Sequence, residues 1–351
     1  MKETEELIEI RIDSNSRIPK YRQIVDSIIT DIENGLLVVG QRVPSINEIS
    51  EEYYLSRDTV EKAYNVLKEK KIIISAKGKG YYVARNILPS KVNVLVLMNK
   101  LSSYKMRIFN SMVNALGQNA QIDLTIYHCD PKLFLNALNE NMGRYDQYVV
   151  MPHFKDEALT HHNTDDLVLQ ALRKIPEHKL IILDNYLPEL NRDVASVYQD
   201  FKMDIYEALQ EGMELLKKYA NLILVYPRKT LYPYPVDILN GFHKFCSDFN
   251  FSSEVLEEIY PDMELHPKDA YIIIEESDLV NLMKQVRDRK LIPGKNIGVI
   301  SYNDTPLKDL LGITVISTDF QAMGETAAYM ILKKKKEVVK NVFRFINRNS
   351  V

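Results

Sequence analysis

The stretch between Pro19 and Val83 most constrains the fold of this chain, because two short helical patterns follow each other with only a tight turn between them. Ser45, with Glu48 three residues later, forms a capping box that opens one helix, and Ser56 caps the next. A third apolar helical pattern precedes them, and two short strand patterns joined by a hairpin tip follow. Three helices and such a hairpin predict a winged helix-turn-helix.

Positive charge is concentrated in this stretch, although the 351 residues carry a net charge of −3. From Ser56 to Arg85, eight Lys and Arg residues stand against three Asp and Glu residues. A basic face on a slightly acidic protein is typical of a DNA-binding head on a larger neutral body. Lysines alternate with glycines at the hairpin tip, so that charge and backbone can approach a phosphate or the minor groove.

The first residues of the third helix are the candidates for reading DNA bases. The second helix of a helix-turn-helix enters the major groove, where Arg57 would pair with a guanine edge and Thr59 with a thymine methyl or a phosphate. Alternatively, Arg57 is a solvated residue at the start of a helix in an ordinary bundle, but the basic hairpin favours DNA binding. The predicted DNA-binding residues are Ser45, Asn47, Ser56, Arg57, Thr59, Lys62, Lys77, Gly78, Lys79 and Gly80.

Four motifs here resemble the winged-helix head of GntR-type transcription regulators, in order and at that family's spacing. They are PKYRQI at 19–24, GQRVPS at 40–45, SRDTVEKAY at 56–64 and GKGYYV at 78–83. The resemblance covers residues 18 to 85 and implies DNA contacts from Ser45, Arg57, Thr59 and Gly80. The family usually has an arginine at the position of Asn47. Because Asn can still pair with adenine through two hydrogen bonds, this departure implies an altered operator preference.

Beyond this head, strand and helix patterns alternate, which predicts a doubly wound α/β architecture. Strands are predicted at 92–98, 122–127, 148–151, 180–183, 222–226, 271–274 and 297–301, and helices at 106–116, 203–219, 236–249 and 279–289. About 250 residues exceed a single core, so two lobes with a cleft are expected. The predicted domains are a winged helix-turn-helix at 1–86 (core 18–85), a linker at 87–91, and an effector-binding and dimerisation domain at 92–345.

Segments of the body resemble the sugar-responsive body of LacI-type repressors, which is similar to periplasmic sugar-binding proteins. They are Ser277-Asp278, residues 291–305 and residues 314–331. Together, head and body resemble a GntR subclass that includes arabinose-responsive repressors. This implies a repressor of a carbohydrate-utilisation operon that a monosaccharide such as fucose or arabinose releases from double-stranded operator DNA. A homodimer on a palindromic operator is expected, because one winged head covers only a half-site.

The effector is expected beyond the carboxyl ends of the parallel strands, where polar groups and aromatic rings suit a sugar. In the LacI-type pattern, Asn303 falls where an Asp contacts the effector, and Ser277 falls where an Asn does. A family arginine is replaced by Ile238, for which Arg228 or Lys229 is the candidate substitute. The predicted effector-binding residues are Ser102, Ser103, Tyr104, His153, Asn185, Arg228, Ser277, Asn303 and Asp304. Each has a structural alternative, such as capping a helix or holding a turn.

Other features restrict the chemistry. Cys129 and Cys246 have neither disulfide nor metal spacing, which is typical of reduced core thiols in a cytoplasmic protein. The pair His161-His162 is expected in an exposed loop and lacks the spacing of metal ligands. No metal or cofactor is expected, and no extra basic cluster is evident in the cleft, which argues against a phosphosugar. No apolar run of about 18 residues or secretory signal pattern is present, so no membrane association is expected.

An enzyme is the rival class of function. The chain has no nucleophile elbow, zinc-protease motif, Walker loop or dinucleotide fingerprint, and its body does not resemble the aminotransferase-like body of some GntR-headed proteins. We therefore expect no enzyme. Two alternatives stay open for the body: a dimerisation module without a ligand, and a sensor of a small molecule other than a sugar.

Overall fold

The fold is that of a computed structural model, which describes residues 10–76, 78–84, 91–228 and 230–351. The chain forms two compact units that divide between Lys91 and Val92. Among the described residues, no helix is long and apolar enough to cross a membrane, and no cluster of His, Cys, Asp and Glu could hold a metal ion. Lys77, Lys229 and the linker residues 87–90 lie outside the described ranges.

The N-terminal unit consists of three helices packed on a small antiparallel sheet with the strand order β1-β3-β2. Its elements are α1 (Lys20–Glu33), β1 (Arg42–Val43), α2 (Ile46–Glu52), α3 (Arg57–Glu69), β2 (Ile73–Ala76) and β3 (Gly80–Val83). The apolar stripes of α1 and α3 bury Ile24, Ile28, Val60, Tyr64 and Leu67 in one core. The predicted winged helix-turn-helix is confirmed.

Capping bonds set where α2 and α3 begin. The Ser45 hydroxyl accepts a hydrogen bond from the Glu48 backbone nitrogen at 3.2 Å, and the Glu48 carboxylate accepts one from the Ser45 N–H, so the capping box is complete. The Ser56 hydroxyl accepts from the Thr59 backbone nitrogen at 3.3 Å. Between the two helices, Tyr54 has a φ of 52°, which lets the chain turn sharply.

The C-terminal unit has two lobes, each built on a six-stranded sheet. The elements of the first lobe are β4 (Val92–Met98), α4 (Ser103–Leu116), β5 (Ala120–Ile126), α5 (Pro131–Asn141), β6 (Gln147–Val150), β7 (Phe154–Lys155), β8 (His161–His162), α6 (Asp166–Arg173), β9 (Leu180–Asp184) and β10 (Ala195–Tyr198). The elements of the second lobe are α7 (Phe201–Glu211), α8 (Met213–Leu216), β11 (Asn221–Val225), α9 (Val236–Asp248), β12 (Ser252–Leu256), β13 (Asp269–Ile273), α10 (Glu276–Asp288), β14 (Gly298–Tyr302), α11 (Pro306–Leu310) and β15 (Thr314–Thr318).

The chain then returns to both lobes through α12 (Phe320–Lys333), β16 (Val338–Lys340) and β17 (Phe343–Ile346). The first sheet is parallel, with the order β16-β10-β9-β6-β4-β5. The second has the order β12-β11-β13-β14-β15-β17, and only its last pair is antiparallel. Both central sets of strands are buried on both faces, as parallel strands covered by helices must be. The predicted two-lobed, doubly wound architecture is confirmed.

Three chain crossings join the lobes, and one buried amide ties them together. Asn341 lies at the third crossing, and its Nδ2 donates to Thr318 Oγ1 and to the Asp319 carbonyl oxygen, both at 2.8 Å, at the second. The Asn341 backbone N–H donates to the Tyr198 carbonyl oxygen at 2.7 Å, at the first. These crossings form the hinge between the lobes.

Two details differ from the sequence prediction. The predicted helix at 203–219 is interrupted at Gly212, where the ring of Phe345 occupies the space that a Cβ would need, at 2.5 Å. The second lobe also extends past the predicted domain end at residue 345. Val351 is buried in its core, and Ser350 Oγ donates to the Val299 carbonyl oxygen at 2.6 Å.

We expect Gly324→Ala to destabilise the protein by about 1–3 kcal/mol, because α12 packs on α4 at this glycine. An added Cβ would lie 2.3 Å from the Ile108 carbonyl oxygen and 2.9 Å from the Met112 nitrogen, both backbone atoms of α4. Urea unfolding measures the change. Glu325→Ala, an exposed position on the same helix, is the control and should change stability by about 0.5 kcal/mol or less. Equal effects would contradict the close helix contact.

Candidate DNA interface and interlobe cavity

The predicted DNA-binding residues that the structure describes lie at the starts of α2 and α3 and on the wing formed by β2 and β3. Those whose side chains are exposed are Asn47, Ser56, Arg57, Lys62 and Lys79. Ser45 and Thr59 are partly exposed, and Gly78 and Gly80 have φ values of 74° and 101°. Glycine is the residue that takes such values without strain, so the wing tip depends on both.

Aromatic contacts hold the wing against the helices. The ring of Tyr81 in β3 meets Tyr64 of α3 edge to face, with 4.7 Å between centroids, and the Tyr64 hydroxyl donates to the Pro44 carbonyl oxygen. The ammonium of Lys62 lies 4.3 Å from the centroid of Tyr21. Because Tyr64 lies in α3 and contacts the wing, it fixes the relative position of the two surfaces that carry exposed basic residues.

A cavity of about 40 Å³ lies between the lobes, at the carboxyl ends of strands from both sheets. Its wall is formed by Asn99, Lys100, Tyr104, Lys105, His153, Asp184, Gln199, Phe201, Pro233, Tyr234, Pro235, Ile238, Ile274, Tyr302 and Asn303. Of the predicted effector-binding residues, the structure places Tyr104, His153 and Asn303 on this wall. Asp184 and Asn303 end strands with φ values of 72° and 64°, a strained conformation that is frequent at functional sites.

A buried polar network forms the first-lobe side of the cavity. The Lys105 ammonium lies 2.8 Å from Asp184 Oδ2, and His153 Nε2 lies 3.0 Å from the same oxygen. The other carboxylate oxygen accepts from Gln199 Nε2 at 2.5 Å. Lys105, Asp184, His153 and Gln199 are each at most 5% exposed, so this network joins α4, β6 and β9 to the first hinge crossing without competition from solvent.

The network sets the charge state of its members. Burial and the positive charge of Lys105 lower the pKa of His153 to about 4, so its imidazole is neutral near pH 7. Burial alone would raise the pKa of Asp184, but the Lys105 ammonium and the hydrogen bond from His153 hold it well below the ordinary value. Asp184 therefore stays ionised and cancels the charge of Lys105.

The expectation that His161 and His162 lie in an exposed loop is wrong. They form β8, which pairs with β7, and both are half-buried. His161 Nε2 lies 2.9 Å from His153 Nδ1 and extends the buried network by one residue. Burial, with the neighbouring His153 and His162, lowers the pKa of His161.

Six predicted effector-binding residues do not line the cavity, and three of them have the structural roles named as alternatives. Ser102 caps α4 through the Lys105 N–H, and Ser103 is exposed. Asn185 is buried and donates through Nδ2 to the Pro152 carbonyl oxygen and to Asn163 Oδ1 at 3.0 and 2.7 Å, so it fixes two loops.

The other three lie in the second lobe. Arg228 is exposed and does not line the cavity, whereas Ile238 does. Ser277 is exposed in the first turn of α10. Asp304 forms a bidentate ion pair with Arg348 at 2.7 and 3.0 Å, so the C-terminal segment holds its carboxylate.

Sequence patterns missed most of the charged wall. Lys105 lies between the predicted strand at 92–98 and the predicted helix at 106–116, and Gln199 lies where no strand is predicted, so the sequence singles out neither as an effector contact. Lys100 and Asp184 do end strands, but nothing in the sequence distinguishes them from exposed neighbours. The cleft contains two lysines that the sequence did not single out, Lys100 and Lys105, and Asp184 pairs with the second.

Residues 231–235, here called the strap, cover the cavity from the second lobe and contact the first lobe. The Lys155 ammonium donates to the Leu231 carbonyl oxygen at 3.1 Å, and His128 Nδ1 lies 2.9 Å from the Tyr232 hydroxyl. The Tyr234 hydroxyl donates to Glu275 Oε1 at 3.1 Å within the second lobe. These contacts hold the cleft in a closed state.

Two buried polar atoms of the wall lack a hydrogen-bond partner among the described residues. They are Asn99 Oδ1 and the Tyr302 hydroxyl, on residues that are each 3% exposed. An unsatisfied buried polar group destabilises a fold by about 1–3 kcal/mol. Both residues belong to the cavity wall, which also offers aromatic surfaces, and a wall of this mixed character suits a polar ligand with apolar faces.

The winged head and the body define a class of protein, a DNA-binding transcription regulator with a separate two-lobed α/β body. Residues 20–83 match the family described as bacterial regulatory proteins, gntR family. The HTH-type transcriptional repressor YtrA of Bacillus subtilis (strain 168) is 31% identical over 91 residues, a match that covers 26% of this chain and 70% of that repressor. The chain belongs to the gntR family of bacterial regulatory proteins.

Solved structures confirm the LacI-type architecture of the body. The lac repressor dimer bound to operator and the anti-inducer ONPF has a TM-score of 0.56 at 14% identity, and the match covers 75% of this chain and 94% of that one. A LacI family transcriptional regulator from Lactobacillus casei with bound glucose has a TM-score of 0.56 at 15% identity, covering 74% and 99%. At these identities the likeness concerns the fold alone.

We expect Arg57→Ala to remove about 1–3 kcal/mol of sequence-specific DNA binding, since an arginine at this position can form a bidentate pair with guanine. Titration of operator and of unrelated duplex in a mobility-shift assay measures the difference. Lys70→Ala removes the same charge at the exposed C-terminal end of α3 and is the matched control. A loss in both variants alike, on both duplexes, would reduce Arg57 to a general electrostatic role.

We expect acid to destabilise the protein through His153. Its folded-state pKa of about 4 lies below the ordinary 6.5, so between these values the unfolded chain binds a proton that the folded chain does not. The stability is unaffected by this group above pH 6.5 and decreases as pH falls toward 4. The loss reaches about 2 kcal/mol at pH 5.

Urea unfolding at pH 7 and pH 5 measures this loss. His153→Gln should reduce it, whereas His178→Gln, at an exposed histidine, should leave it unchanged. His161 contributes in the same direction, so part of the loss remains in the His153 variant. An identical loss in wild type and His153→Gln would contradict the assignment.

Proposed function

We propose that this protein is a repressor of a carbohydrate-utilisation operon, whose affinity for a palindromic operator falls when a monosaccharide binds between the lobes of its body. The observation that carries the proposal is the pair of unsatisfied buried polar atoms, Asn99 Oδ1 and the Tyr302 hydroxyl, on the wall of an interlobe cavity. A ligand hydroxyl can donate to the first and exchange a hydrogen bond with the second. The binding of such a ligand relieves both desolvation penalties.

Aromatic side chains support a sugar over other polar molecules. Tyr104, Phe201 and Tyr234 line the same cavity, and their rings offer apolar faces against which the carbon face of a sugar ring can pack. Sugar sites require both kinds of surface, because hydroxyl edges need paired hydrogen bonds and the ring face is apolar. The glucose of the Lactobacillus casei regulator is consistent with this effector class.

The size of the cavity determines the kind of motion the proposal needs. A volume of about 40 Å³ holds roughly one water molecule, whereas ligand pockets occupy about 300–1,000 Å³. A monosaccharide therefore enters only when the lobes separate at the hinge and the strap leaves the first lobe. Ligand binding then selects a lobe arrangement different from this one, and that difference is what a DNA-binding dimer can transmit.

A homodimer follows from the geometry of DNA recognition. One winged helix-turn-helix covers one half-site, and a twofold protein matches a palindromic operator. A coupling free energy of about 1–3 kcal/mol between effector and operator is sufficient for a useful switch. Repression is favoured because the relative YtrA is a repressor.

Two other functions of the body make different predictions. In a dimerisation module without a ligand, unsatisfied polar groups at a lobe interface would lower stability without any compensating interaction. A sensor of a different small molecule would share the cavity but respond to none of the sugars.

Calorimetry of the full-length protein with a panel of aldoses, ketoses and sugar acids, paired with operator mobility shifts, distinguishes the proposed function from these two alternatives. Binding that releases operator supports the proposal, turnover indicates an enzyme, and silence across the panel contradicts it. Fucose and arabinose are the first neutral sugars to test.

We expect Asn303→Ala to keep operator affinity but to lose release by the inducer, since Asn303 brings an amide to the cavity wall from the end of β14. Because its φ of 64° strains alanine, Asn303→Gly is made in parallel. Both variants should lose induction in a mobility-shift assay. Induction that survives in the glycine variant would remove Asn303 from the effector contacts.

A further inference from the structure

The ammonium of Lys100 lies at the interlobe cavity without a carboxylate partner. Lys100 is the second residue after β4 and lines the cavity wall. Three tyrosine rings surround its Nζ, with centroids at 4.8 Å for Tyr234, 5.7 Å for Tyr232 and 5.8 Å for Tyr104. Within the described part of the chain, no ion pair is formed by this ammonium. Aromatic faces attract a cation but replace only part of the hydration it loses.

The second lysine of the cavity differs in this respect. Lys105 is fully buried and is paired with Asp184 at 2.8 Å, so their charges cancel. His153 is neutral, because burial and Lys105 lower its pKa to about 4. No other side chain on the wall is ionised at neutral pH. The cavity therefore carries one net positive charge, which belongs to Lys100.

The protonation of Lys100 is consistent with this arrangement. Burial and the positive charge of Lys105 lower its pKa to about 8, and Glu275 and Asp184 raise it only in part. The ammonium is thus mostly protonated at pH 7 and is held where its charged form is disfavoured. A negative group brought by a ligand would remove this penalty and form a charge-assisted hydrogen bond.

We propose that the effector is a monosaccharide that carries one carboxylate, a sugar acid of the hexuronate or aldonate type, and that its carboxylate pairs with Lys100. The proposal rests on the proposed function and specifies its ligand. The remaining hydroxyls of the sugar acid would reach Asn99 and Tyr302.

A carboxylate fits the charge of the cavity better than a phosphate does. A phosphate monoester carries about −1.5 to −2 charges at pH 7 and is usually bound by several cationic or N–H donors. The described cavity wall contains no arginine, and its second lysine is already neutralised by Asp184. One free ammonium balances one carboxylate.

The experiment compares each sugar acid with the neutral sugar that differs from it in oxidation at one carbon. Further neutral sugars and one phosphosugar are included as additional tests. Full-length protein is titrated by calorimetry with galacturonate and galactose, with glucuronate and glucose, with gluconate, with fucose and arabinose, and with galactose 6-phosphate. Operator release is followed for each. We expect a sugar acid to bind at least tenfold more tightly than its neutral counterpart and to release the operator.

Two lysine variants test the role of Lys100 itself. Lys100→Gln should lose the preference for the acid by tenfold or more while its residual binding of the neutral sugar changes little. Lys132→Gln removes the charge of an exposed lysine of the same lobe and should keep the full preference. Operator affinity and circular dichroism verify that both variants are folded. An unchanged preference in Lys100→Gln overturns the assignment of the carboxylate to this residue.

The pH dependence gives a second readout. The ammonium faces Lys105, Asp184, Glu275 and the Cys129 thiol, whose pKa is itself raised by burial. As pH rises from 7 to 9, Lys100 loses its proton in the free protein, so affinity for the acid should fall about tenfold while affinity for the neutral sugar stays level. A level profile for the acid would contradict an ionic contact.

The outcomes separate this proposal from the proposed function. Neutral sugars that bind as tightly as their acids and release the operator overturn the carboxylate and leave the sugar sensor intact. Binding of galactose 6-phosphate in preference to every acid overturns the carboxylate in favour of a phosphate. Failure of every sugar and sugar acid to bind overturns both.

Discussion

The ion pair between Lys105 and Asp184 is the interaction on which the body of this protein depends. It lies where α4, β6 and β9 meet beneath the interlobe cavity, and Gln199 connects it to the first hinge crossing. Removal of one partner of a buried ion pair strongly destabilises a protein, because the other charge is left without solvent or a counter-ion. The same pair also neutralises the floor of the cavity. The position of the hinge and the charge presented to a ligand therefore have a common physical origin.

The hinge and the strap connect the two lobes with different strength. At the hinge, Asn341 forms hydrogen bonds to the other two crossings, so the three crossings are joined to one another. At the opposite side of the cavity, Tyr232 reaches His128, and the rings of Tyr232 and Tyr234 lie near the Lys100 ammonium. Contacts of this kind are individually weak and partly exposed, so they can break without unfolding either lobe. A cleft that is joined firmly at one side and loosely at the other can open for a ligand.

In the head, the same division between rigid support and exposed chemistry is present. Tyr64 is buried, contacts Tyr81 of the wing and donates to Pro44 before α2. Arg57 and Lys79, in contrast, are exposed. DNA recognition needs side chains that are free to reach a groove and a scaffold that fixes their spacing, and the small core of the head supplies the second.

Local sequence determined the head almost completely. The capping box at Ser45 and the cap at Ser56 are bonds between residues three apart, so their positions follow from spacing alone, and the alternation of strands and helices likewise predicted the two-lobed body. Tertiary structure alone decided the charged cavity wall. Lys100 and Asp184 are separated by 84 positions in the chain. Lys105 lies inside α4 and Gln199 follows the short strand β10, so nothing local distinguishes them from exposed polar residues. Whether a polar side chain caps a helix, as Ser102 does, or lines the cavity, as Asn303 does, depends on which elements the fold brings beside it, because burial and pairing arise between segments distant in sequence.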